Sequence, residues 1–324
     1  MKLLINPVTD AAYNLALEEV IASEYTEAIM LWRNANAIIV GRNQNTGAEI
    51  NSEFVRQKQI QVIRRMTGGG AVYHDLGNIN YTIVAPGRQL EQEAFSRNAD
   101  IVVQVLQRMG VAAEFQGRND ILVDGRKISG SAKCVLNDRT LFHGTLLFDT
   151  DLSVLSSALT PDESKIRAKG IKSVRSRVAN LREFLPEMDV EQFLEKLQSK
   201  LQKVSGAMRS GIPTELQNRA SALADQKYRT WDWNYGTVGQ YSYEWKDRFA
   251  CGGVEVRFNV VENRIANMLI LGDFFGSADV AELAAKFNGL PPELNAIKKV
   301  AASCDLAKYI NGITADEFIS LFRL

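Results

Sequence analysis

Three consecutive glycines between strand-like runs constrain the fold of this chain more than any other feature of its sequence. Residues 68–70 follow residues 61–65, which have the composition of a strand, and precede two further strand-like runs at 71–74 and 79–84. Glycine loses more conformational freedom on folding than any other residue, so a run of it is used where the backbone turns tightly or approaches a ligand closely. The pattern therefore predicts strands joined by a tight glycine turn.

Two arginines, Arg64 and Arg65, stand just before this turn. The guanidinium group is planar and permanently charged, and it binds carboxylate and phosphate well. Together, the arginines and the turn suit an elongated anionic ligand. The same residues also fit a glycine hairpin whose arginines point into solvent, and this segment alone leaves both interpretations open.

A second hairpin is predicted around Asp124-Gly125, a dipeptide that favours a two-residue turn between strands. The predicted register pairs Val123 with Arg126, Leu122 with Lys127, Ile121 with Ile128, and Asp120 with Ser129. Because side chains alternate along a strand, Asp120, Lys127 and Ser129 share one face, with Leu122 among them. Ordinary sheet geometry separates Asp120 from Lys127 by roughly 7–8 Å. The pair then forms either a phosphate or carboxyl site, or a surface salt bridge.

Periodicity predicts the other elements and two domains. Helices are expected at 11–24 with Asp10 as N-cap, at 95–109, at 190–204 and at 213–224, and strands at 37–41 and 141–148. Beyond a linker expected at 246–253, residues 254–260 alternate with period two, and helices begin at Asp279 and near residue 315. A larger domain at 1–246 and a small α+β domain at 247–324 are therefore expected.

Charge balance and cysteine content exclude several classes of protein. The 324 residues contain 38 Lys and Arg against 38 Asp and Glu, whereas a nucleic-acid-binding protein usually has a basic excess. No apolar run approaches the roughly 20 residues that cross a bilayer, and the N-terminal region turns polar at Asn6, unlike a signal peptide. Three widely spaced cysteines point to a reducing compartment. These features favour a cytoplasmic protein with neither a nucleic-acid nor a membrane partner.

Several standard catalytic motifs are absent from the sequence. It has no G-x-x-x-x-G-K-[ST] phosphate loop and no G-x-S-x-G nucleophile elbow. With only His74 and His143, and no Cys-x-x-Cys, a dedicated zinc site is not expected. Cys134 has no base at a useful spacing, so it is interpreted as structural. Trp32, judged from its neighbours alone, favours a core position.

A basic segment lies between residues 165 and 182. Its cations are Lys165, Arg167, Lys169, Lys172, Arg175, Arg177 and Arg182, with Gly170 as a candidate hinge. Such a loop can close over a polyanion and exclude water. A run of charge is more often a solvated face, however. The sequence leaves both interpretations open.

Taken in order, these segments resemble the lipoate–protein ligase family. The resemblance rests on RRMTGGGAVYHDLGN, GRND, DGRKISGSA, HGTLL and KGIKSVRSRVANL, and it continues through TWDWNYG and GGVEVRFNV. It covers nearly the whole chain, and the set is far more specific than any one segment. It implies an α+β catalytic domain of the biotin/lipoate ligase and class II synthetase type, followed by a small α+β accessory domain.

The resemblance also implies a two-step reaction. Lipoic acid and ATP, with Mg²⁺, give lipoyl-adenylate and pyrophosphate, and the lipoyl group then passes to one lysine of an acceptor protein. Acceptors in this family are apo lipoyl domains of 2-oxoacid dehydrogenase acyltransferase subunits and the glycine-cleavage H protein. Nothing in the sequence demands a dimer, so a monomer is expected.

The same resemblance implies site residues. Lys127 matches the family lysine that contacts both the α-phosphate and the acyl carbonyl. Positions that match the ATP and adenylate site are Arg65, Thr67, Gly70, Ala71, Val72, Tyr73, Asn119, Asp120 and Lys127, with Asp120 also a Mg²⁺ ligand. Positions that match the lipoate site are Trp32, Arg65, Gly69, Gly70, His74, Lys127 and His143. Residues 169–177 match a segment that orders over the adenylate.

Three rival functions are distinguished by particular residues. An octanoyl or lipoyl transferase that works through an acyl-enzyme thioester shares the DGRKISGSA hairpin, but it carries a cysteine shortly before it, where this chain has EFQGRND. A biotin ligase would share the fold, yet these segments are lipoate-like and no DNA-binding N-terminal domain is present. A catalytically silent homologue has no chemical reason to retain Lys127, Arg65, Asn119 and Asp120 together.

Overall fold

The computed structural model describes residues 1–89, 91, 93–159, 178–236 and 241–323. Its strands are β1 (Lys2–Ile5), β2 (Ala28–Trp32), β3 (Ala37–Val40), β4 (Gln61–Arg64), β5 (Val72–His74), β6 (Asn78–Pro86), β7 (Glu114–Gln116), β8 (Asp120–Val123), β9 (Arg126–Leu136), β10 (Arg139–Leu147), β11 (Met208–Ser210), β12 (Tyr243–Phe249), β13 (Gly252–Val261) and β14 (Arg264–Gly272).

Its helices alternate with these strands and are mostly short. They are α1 (Ala11–Glu24), α2 (Thr46–Glu49), α3 (Ser52–Gln57), α4 (Glu93–Gln107), α5 (Leu152–Ala158), α6 (Val190–Ser205), α7 (Thr214–Leu223), α8 (Trp231–Tyr235), α9 (Val280–Ala285), α10 (Leu294–Ser303), α11 (Leu306–Tyr309) and α12 (Ala315–Ser320), with a 3₁₀ turn at Leu181–Glu183 and a π-helical turn at Ala224–Tyr228. In the described part of the chain, no helix has the length and apolar character needed to cross a membrane.

The largest sheet among the described residues has eight strands in the order β11-β1-β2-β6-β10-β9-β8-β7. The strands β11, β1 and β2 run parallel, and the remaining neighbours pair antiparallel. The helices α4 and α6 pack on one face, with Phe95 and Phe193 in the core. The helices α1 and α7 pack on the opposite face, with Leu15 and Leu216 in a second core. A sheet covered on both sides gives a rigid base for side chains that project from its strands.

A small sheet of strands β4-β3-β5 lies beside helix α1. Its residues alternate between two cores: Ile39 and Ile63 pack with α1, whereas Ile38 and Val40 pack on the opposite side. Strand β3 runs parallel to β4 and antiparallel to β5. The chain therefore reverses direction between β4 and β5, and the predicted glycine turn makes this reversal.

The predicted start of helix α1 is confirmed. The Asp10 carboxylate accepts a hydrogen bond of 2.7 Å from the Tyr13 amide, which satisfies one of the backbone donors left open at a helix N-terminus. The expected strands and helices up to residue 224 are also present, with ends shifted by a few residues at most. These ends are the least well specified part of any periodic pattern.

The linker expected at residues 246–253 is not a linker. Strand β12 pairs antiparallel with β13 from Tyr243 to Phe249, so Lys246 lies inside a hairpin. The Tyr243 ring stacks on Phe258 with centroids 5.0 Å apart, and Trp245 packs edge-on against the same ring. These aromatic contacts join the strand to the C-terminal core, and the expected division after Lys246 falls within it.

Candidate active site

A cavity of about 500 Å³ lies between the face of the large sheet that carries α1 and the small sheet. Leu15 of α1, Ile39 of β3 and Gly144 of β10 all contribute to its wall. The sequence-predicted residues that line it are Trp32, Arg65, Gly69, Gly70, Ala71, Val72, Tyr73, His74, Asn119, Asp120, Lys127 and His143. Positions distant in sequence therefore meet in one cavity.

Thr67 is the exception among the predicted site residues. Its side chain is 1% exposed and lies behind the cavity wall. There its hydroxyl accepts a hydrogen bond of 2.9 Å from Arg65 Nε and lies 2.8 Å from His143 Nε2. Thr67 therefore supports two residues of the wall and makes no direct contact with the cavity.

The hairpin of β8 and β9 pairs Leu122 with Lys127 as predicted, but its register changes beyond that pair. A β-bulge shifts the register, so Ile121 pairs with Ser129 and Asp120 pairs with Gly130. The Lys127 amine forms an ion pair with the Asp120 carboxylate, with 2.7 Å between Nζ and Oδ1, so the two side chains converge as predicted. Both side chains are about one-third exposed, so each remains accessible from the cavity.

Gly130 provides the space that the Lys127 side chain occupies. A Cβ atom at this position would lie 2.7 Å from Lys127 Nζ and 2.9 Å from its Cε, and real Cβ atoms do not approach other atoms that closely. The glycine of the DGRKISG segment therefore allows the lysine to fold back across its own strand. Asn119 is fixed at the same place, because its Nδ2 donates to the Ser131 carbonyl at 2.6 Å.

Arg64 faces neither the cavity nor solvent, so neither interpretation of the sequence holds for it. Its guanidinium is surrounded by acceptors of the protein itself, which are the carbonyls of Gly41, Arg42, Gln44, Trp233 and Asn234 and the hydroxyl of Thr46. Burial, followed by the nearby charge of Arg42, lowers the pKa of Arg64 to about 10, so it remains charged at neutral pH. The side chain therefore fastens the small sheet to α8 and is occupied by backbone groups.

Arg65 lies in the cavity wall and shapes the glycine turn. Its Nη2 donates to the carbonyls of Gly68 at 2.6 Å and Gly70 at 2.9 Å, and its Nη1 donates to the Ile39 carbonyl at 3.0 Å. Burial is the main cause that lowers its pKa to about 10, while Glu18 acts in the opposite direction. A permanent positive charge is therefore held against the turn.

The glycine turn is packed too closely for side chains. A Cβ at Gly41 would lie 2.0 Å from the Gly69 carbonyl oxygen, and one at Gly68 would lie 2.4 Å from the Phe274 carbonyl oxygen. Gly69 has φ of +90°, in the left-handed region that glycine tolerates best. The turn is therefore a site of close backbone approach, as the three consecutive glycines predict.

A chain of buried hydrogen bonds runs behind the wall and includes a residue that the sequence analysis missed. Trp32 Nε1 donates to Thr82 Oγ1 at 2.8 Å, and Thr82 Oγ1 donates to Glu18 at 2.5 Å. The Glu18 oxygens each lie 3.1 Å from His143 Nδ1, and His143 Nε2 contacts Thr67. Glu18 lies three residues after Leu15 and three before Ile21, and this position on the apolar face of α1 is the sequence signal that could have identified it.

His74 is held by a second polar chain. Asn14 Nδ2 donates to the carbonyls of Val8 and Arg33, which fixes its orientation, and also to Asn34 Oδ1 at 2.9 Å. Asn34 must then present its Nδ2 to His74 Nδ1, 3.1 Å away. Burial, with Arg65 and His143 nearby, lowers the pKa of His74 to about 3. The imidazole is therefore neutral at neutral pH, with its hydrogen on Nε2.

The C-terminal part of the chain supplies one side of the cavity, which the sequence analysis did not predict. Arg248, Asp273 and Phe275 all line it. The Arg118 guanidinium lies 4.9 Å from the centroid of the Phe275 ring and donates to the Cys251 carbonyl at 2.8 Å. The Gly69 amide donates to the Phe274 carbonyl at 3.3 Å. Arg118 belongs to the GRND segment, so this segment also connects the two parts of the molecule.

The basic segment lies largely outside the described residues, which resume at residue 178. Val178 forms a parallel bridge with Lys127, and the Ala179 amide donates to the Lys127 carbonyl at 2.9 Å. The residues that directly follow the undescribed part of the basic segment therefore lie beside Lys127. Arg182, its last cation, pairs with Asp149 on the surface.

Comparison with known proteins was made on the whole chain. Residues 10–202 match the family model of the lipoyl protein ligase A/B catalytic domain, and residues 239–322 match the model of the bacterial lipoate protein ligase C-terminus. The fold expectation is confirmed by these matches and by the solved structures described next.

Full-length relatives agree with the family models. The chain is 37% identical to lipoate–protein ligase 1 of Staphylococcus aureus over 98% of both chains. Among solved structures, the lipoate complex of P. falciparum LipL1 superposes with a TM-score of 0.79 at 26% identity, covering 94% of both chains. A lipoate–protein ligase A bound with ATP gives a TM-score of 0.64 at 26% identity, covering 73% of this chain and 99% of its own. This chain therefore belongs to the lipoate–protein ligase family.

Proposed function

We propose that this protein is an ATP-dependent lipoate–protein ligase that forms lipoyl-adenylate and transfers the lipoyl group to a lysine of an acceptor protein. The observation that carries the proposal is the position of Lys127, whose amine lies at the cavity beside Asp120 and over Gly130. The family match, with relatives named for this activity, supports the same conclusion.

Lys127 supplies the positive charge that both steps require. In the first step, the lipoate carboxylate attacks the α-phosphorus of ATP, pyrophosphate leaves, and negative charge grows on the phosphate oxygens. In the second step, the acceptor amine attacks the acyl carbon, AMP leaves, and charge grows on the carbonyl oxygen. A fixed cation close to both oxygens stabilises both transition states more than the ground states. No protein nucleophile is needed.

Asp120 fits the Mg²⁺ that accompanies ATP. Among the described residues, no group of three or more His, Cys, Asp or Glu side chains is arranged to hold a metal ion. Mg²⁺ bound with nucleotides commonly takes one or two carboxylates, and phosphates and water complete its coordination. Asp120 is a partly exposed carboxylate at the cavity beside Lys127, so it meets this requirement. When bound, the ion neutralises phosphate charge.

The remaining predicted residues divide the cavity between the two substrates. Arg65 holds positive charge at the glycine turn, where backbone groups of Gly70 to Tyr73 can approach a nucleotide. Trp32, His74 and His143 also line the cavity, and the rings of Trp32 and His74 are in edge contact with centroids 6.4 Å apart. This aromatic wall suits the apolar lipoyl tail.

The thioester transferase is not supported by the cysteines. None of the described residues that line the cavity is a cysteine. Cys134 lies on β9 and packs against the core beneath α1. Burial is the main cause that raises the pKa of its thiol to about 12, so the thiolate nucleophile is scarce at neutral pH.

The acceptors that we propose are apo lipoyl domains of 2-oxoacid dehydrogenase acyltransferase subunits and the glycine-cleavage H protein. The direct test is intact-mass spectrometry of a purified apo lipoyl domain after incubation with this protein and lipoic acid, with and without Mg-ATP. We expect one lipoyl adduct, formed only with Mg-ATP. No adduct from free acid, together with transfer from an acylated carrier protein, would establish the thioester transferase.

Replacing Lys127 tests the proposed chemistry. We expect Lys127→Ala to remain folded and to lose activity by about 10²–10³-fold, the effect of losing one group that stabilises transition-state charge. Lys133→Ala is the matched control, since Lys133 lies on the same strand but its amine is bonded to the carbonyls of Gln89 and Glu91. Pyrophosphate release without acceptor measures the first step separately. Unchanged release in Lys127→Ala would contradict the role in adenylation.

A further inference from the structure

Glu18 is a buried carboxylate to which the proposed reaction gives no role. It is 2% exposed, lies on helix α1 and bonds to Thr82 and to His143, a residue of the cavity wall. Burial of a carboxylate is unfavourable unless it receives hydrogen bonds. Its two neighbours, Thr82 and His143, supply them, and each neighbour is in turn bonded to a residue expected at the substrates.

A carboxylate only accepts hydrogen bonds, and this fixes every hydrogen on the Trp32 side. Thr82 has one hydroxyl hydrogen, and it must point to Glu18 Oε1 at 2.5 Å. The Thr82 oxygen is then left as the acceptor for Trp32 Nε1, whose hydrogen has no alternative direction. The Trp32 ring is therefore oriented through Thr82 by the charge of Glu18.

The same rule fixes the hydrogens on the His143 side. His143 Nδ1 must carry a hydrogen, because both Glu18 oxygens are 3.1 Å away and can only accept. In the neutral ring, Nε2 is then an acceptor, and the Thr67 hydroxyl donates to it at 2.8 Å. The Thr67 oxygen is left to accept from Arg65 Nε at 2.9 Å. The Glu18 carboxylate thus determines which atom donates and which accepts in each hydrogen bond between Trp32 and Arg65.

We infer that Glu18 is a positioning residue for the proposed ligation: it orients Trp32 through Thr82, and it fixes the His143 hydrogen on Nδ1 and thereby orients Thr67 and Arg65. The inference rests on the proposed function for its kinetic part and on the hydrogen-bond geometry alone for its structural part. Glu18 itself touches neither substrate, since it does not line the cavity.

Glu18→Gln is the informative substitution because it keeps the size and shape of the side chain. A glutamine has one accepting oxygen and one donating nitrogen. If the nitrogen faces Thr82, the Thr82 oxygen receives two donors and its own hydrogen loses its acceptor. If the nitrogen takes the Oε2 position, it faces the His143 Nδ1 donor at 3.1 Å, and Oε1 alone must accept from both Thr82 and His143. Either arrangement removes the negative charge and sets two hydrogen-bond donors against each other.

Glu19 offers a matched control on the same helix. Its carboxylate pairs with Lys227 at 2.7 Å and accepts from the Tyr228 hydroxyl at 2.6 Å, away from the cavity residues. Glu19→Gln therefore removes the same charge from the neighbouring position and leaves the Trp32-to-Arg65 chain intact. Any effect of net charge or of helix α1 stability should appear in both variants.

The first measurement needs no variant, because the chain contains only two histidines. Nitrogen-15 NMR of the imidazole rings distinguishes the two neutral tautomers. We expect opposite tautomers in the wild-type protein: hydrogen on Nδ1 for His143 and on Nε2 for His74. A His143 ring with its hydrogen on Nε2 would overturn the inference, whether or not any variant folds.

The second measurement is the kcat/KM for lipoate at saturating ATP, corrected for folded protein. We expect Glu18→Gln to lower it by about 10- to 100-fold, the loss seen when the hydrogen-bond partner of a metal-ligating histidine is removed, with an altered His143 spectrum. Glu19→Gln should match the wild type in both readouts. Equal activity per folded molecule in Glu18→Gln would overturn the positioning role. Inactive wild-type and Glu19→Gln proteins would instead contradict the proposed function, and the tautomer measurement would still decide the role of Glu18.

Discussion

The two histidines share one cavity wall but are held in opposite ways. His143 faces the carboxylate of Glu18, whereas His74 receives a hydrogen bond from the amide of Asn34 and lies near the charge of Arg65. The environment of His74 disfavours its protonated form, mainly because the ring is buried. The ring is therefore neutral over the whole physiological pH range.

This environment predicts a pH dependence of stability. The pKa of His74 is about 3 in the folded protein, against about 6.5 when unfolded, so the unfolded chain binds a proton that the folded chain does not. The neutral His74 ring contributes fully to the free energy of unfolding above pH 6.5. This contribution is lost as the pH falls toward 3, by up to about 1.4 kcal/mol per pH unit. Urea unfolding of wild type and His74→Gln from pH 7.5 to 4 measures it. The wild type should lose stability more steeply; parallel curves would refute the assignment.

At the scale of single elements, the hairpin of β8 and β9 shows what periodicity predicts and what it does not. The turn at Asp124-Gly125 and the inner pairs of Val123 with Arg126 and Leu122 with Lys127 follow the prediction. The bulge beyond them does not, because it depends on how the lysine packs over Gly130, and that contact is not visible in a local pattern. The strands, the glycine turn and most of the cavity residues could be predicted, whereas the partners of Arg64 required the folded chain.

Substitution of Gly130 tests the role of this element. The methyl group of Gly130→Ala would meet Lys127 Nζ and Cε, which are the flexible end of a side chain, so the lysine should move while the fold is retained. A displacement of about 1 Å at a reacting group can reduce the rate about 100-fold, so we expect a loss of ligation of about 10- to 100-fold. Steady-state kinetics and thermal unfolding measure the two effects. Gly211→Ala is the control, since nothing lies within 4 Å of that position; equal activities would exclude this role of Gly130.

At the scale of the whole molecule, two parts with separate cores meet at the cavity. The C-terminal core consists of residues between Cys251 and Phe322, with Trp245 and Phe249 of β12 packed against it. Its contacts with the larger part are polar and aromatic: Arg42 pairs with Asp279 at 2.6 Å, the Gly272 amide donates to the Asn43 carbonyl at 2.7 Å, and the Phe275 ring packs edge-on against Phe95 with centroids 5.9 Å apart. A self-contained hydrophobic core is the arrangement expected of a separate domain.

We therefore predict that residues 241–324 fold on their own, with the division placed before β12. The hairpin of β12 and β13 carries the stacked pair of Tyr243 and Phe258, and Trp245 also contacts Phe322, which follows the last helix. A fragment of residues 247–324 lacks Tyr243, Trp245 and the first half of β12, so it should unfold at lower temperature or remain unfolded. Circular dichroism melts and the dispersion of amide NMR signals distinguish the two fragments. If both fragments melt alike, β12 contributes nothing to this core; if neither folds, the C-terminal residues depend on the contacts made through Arg42 and Arg118.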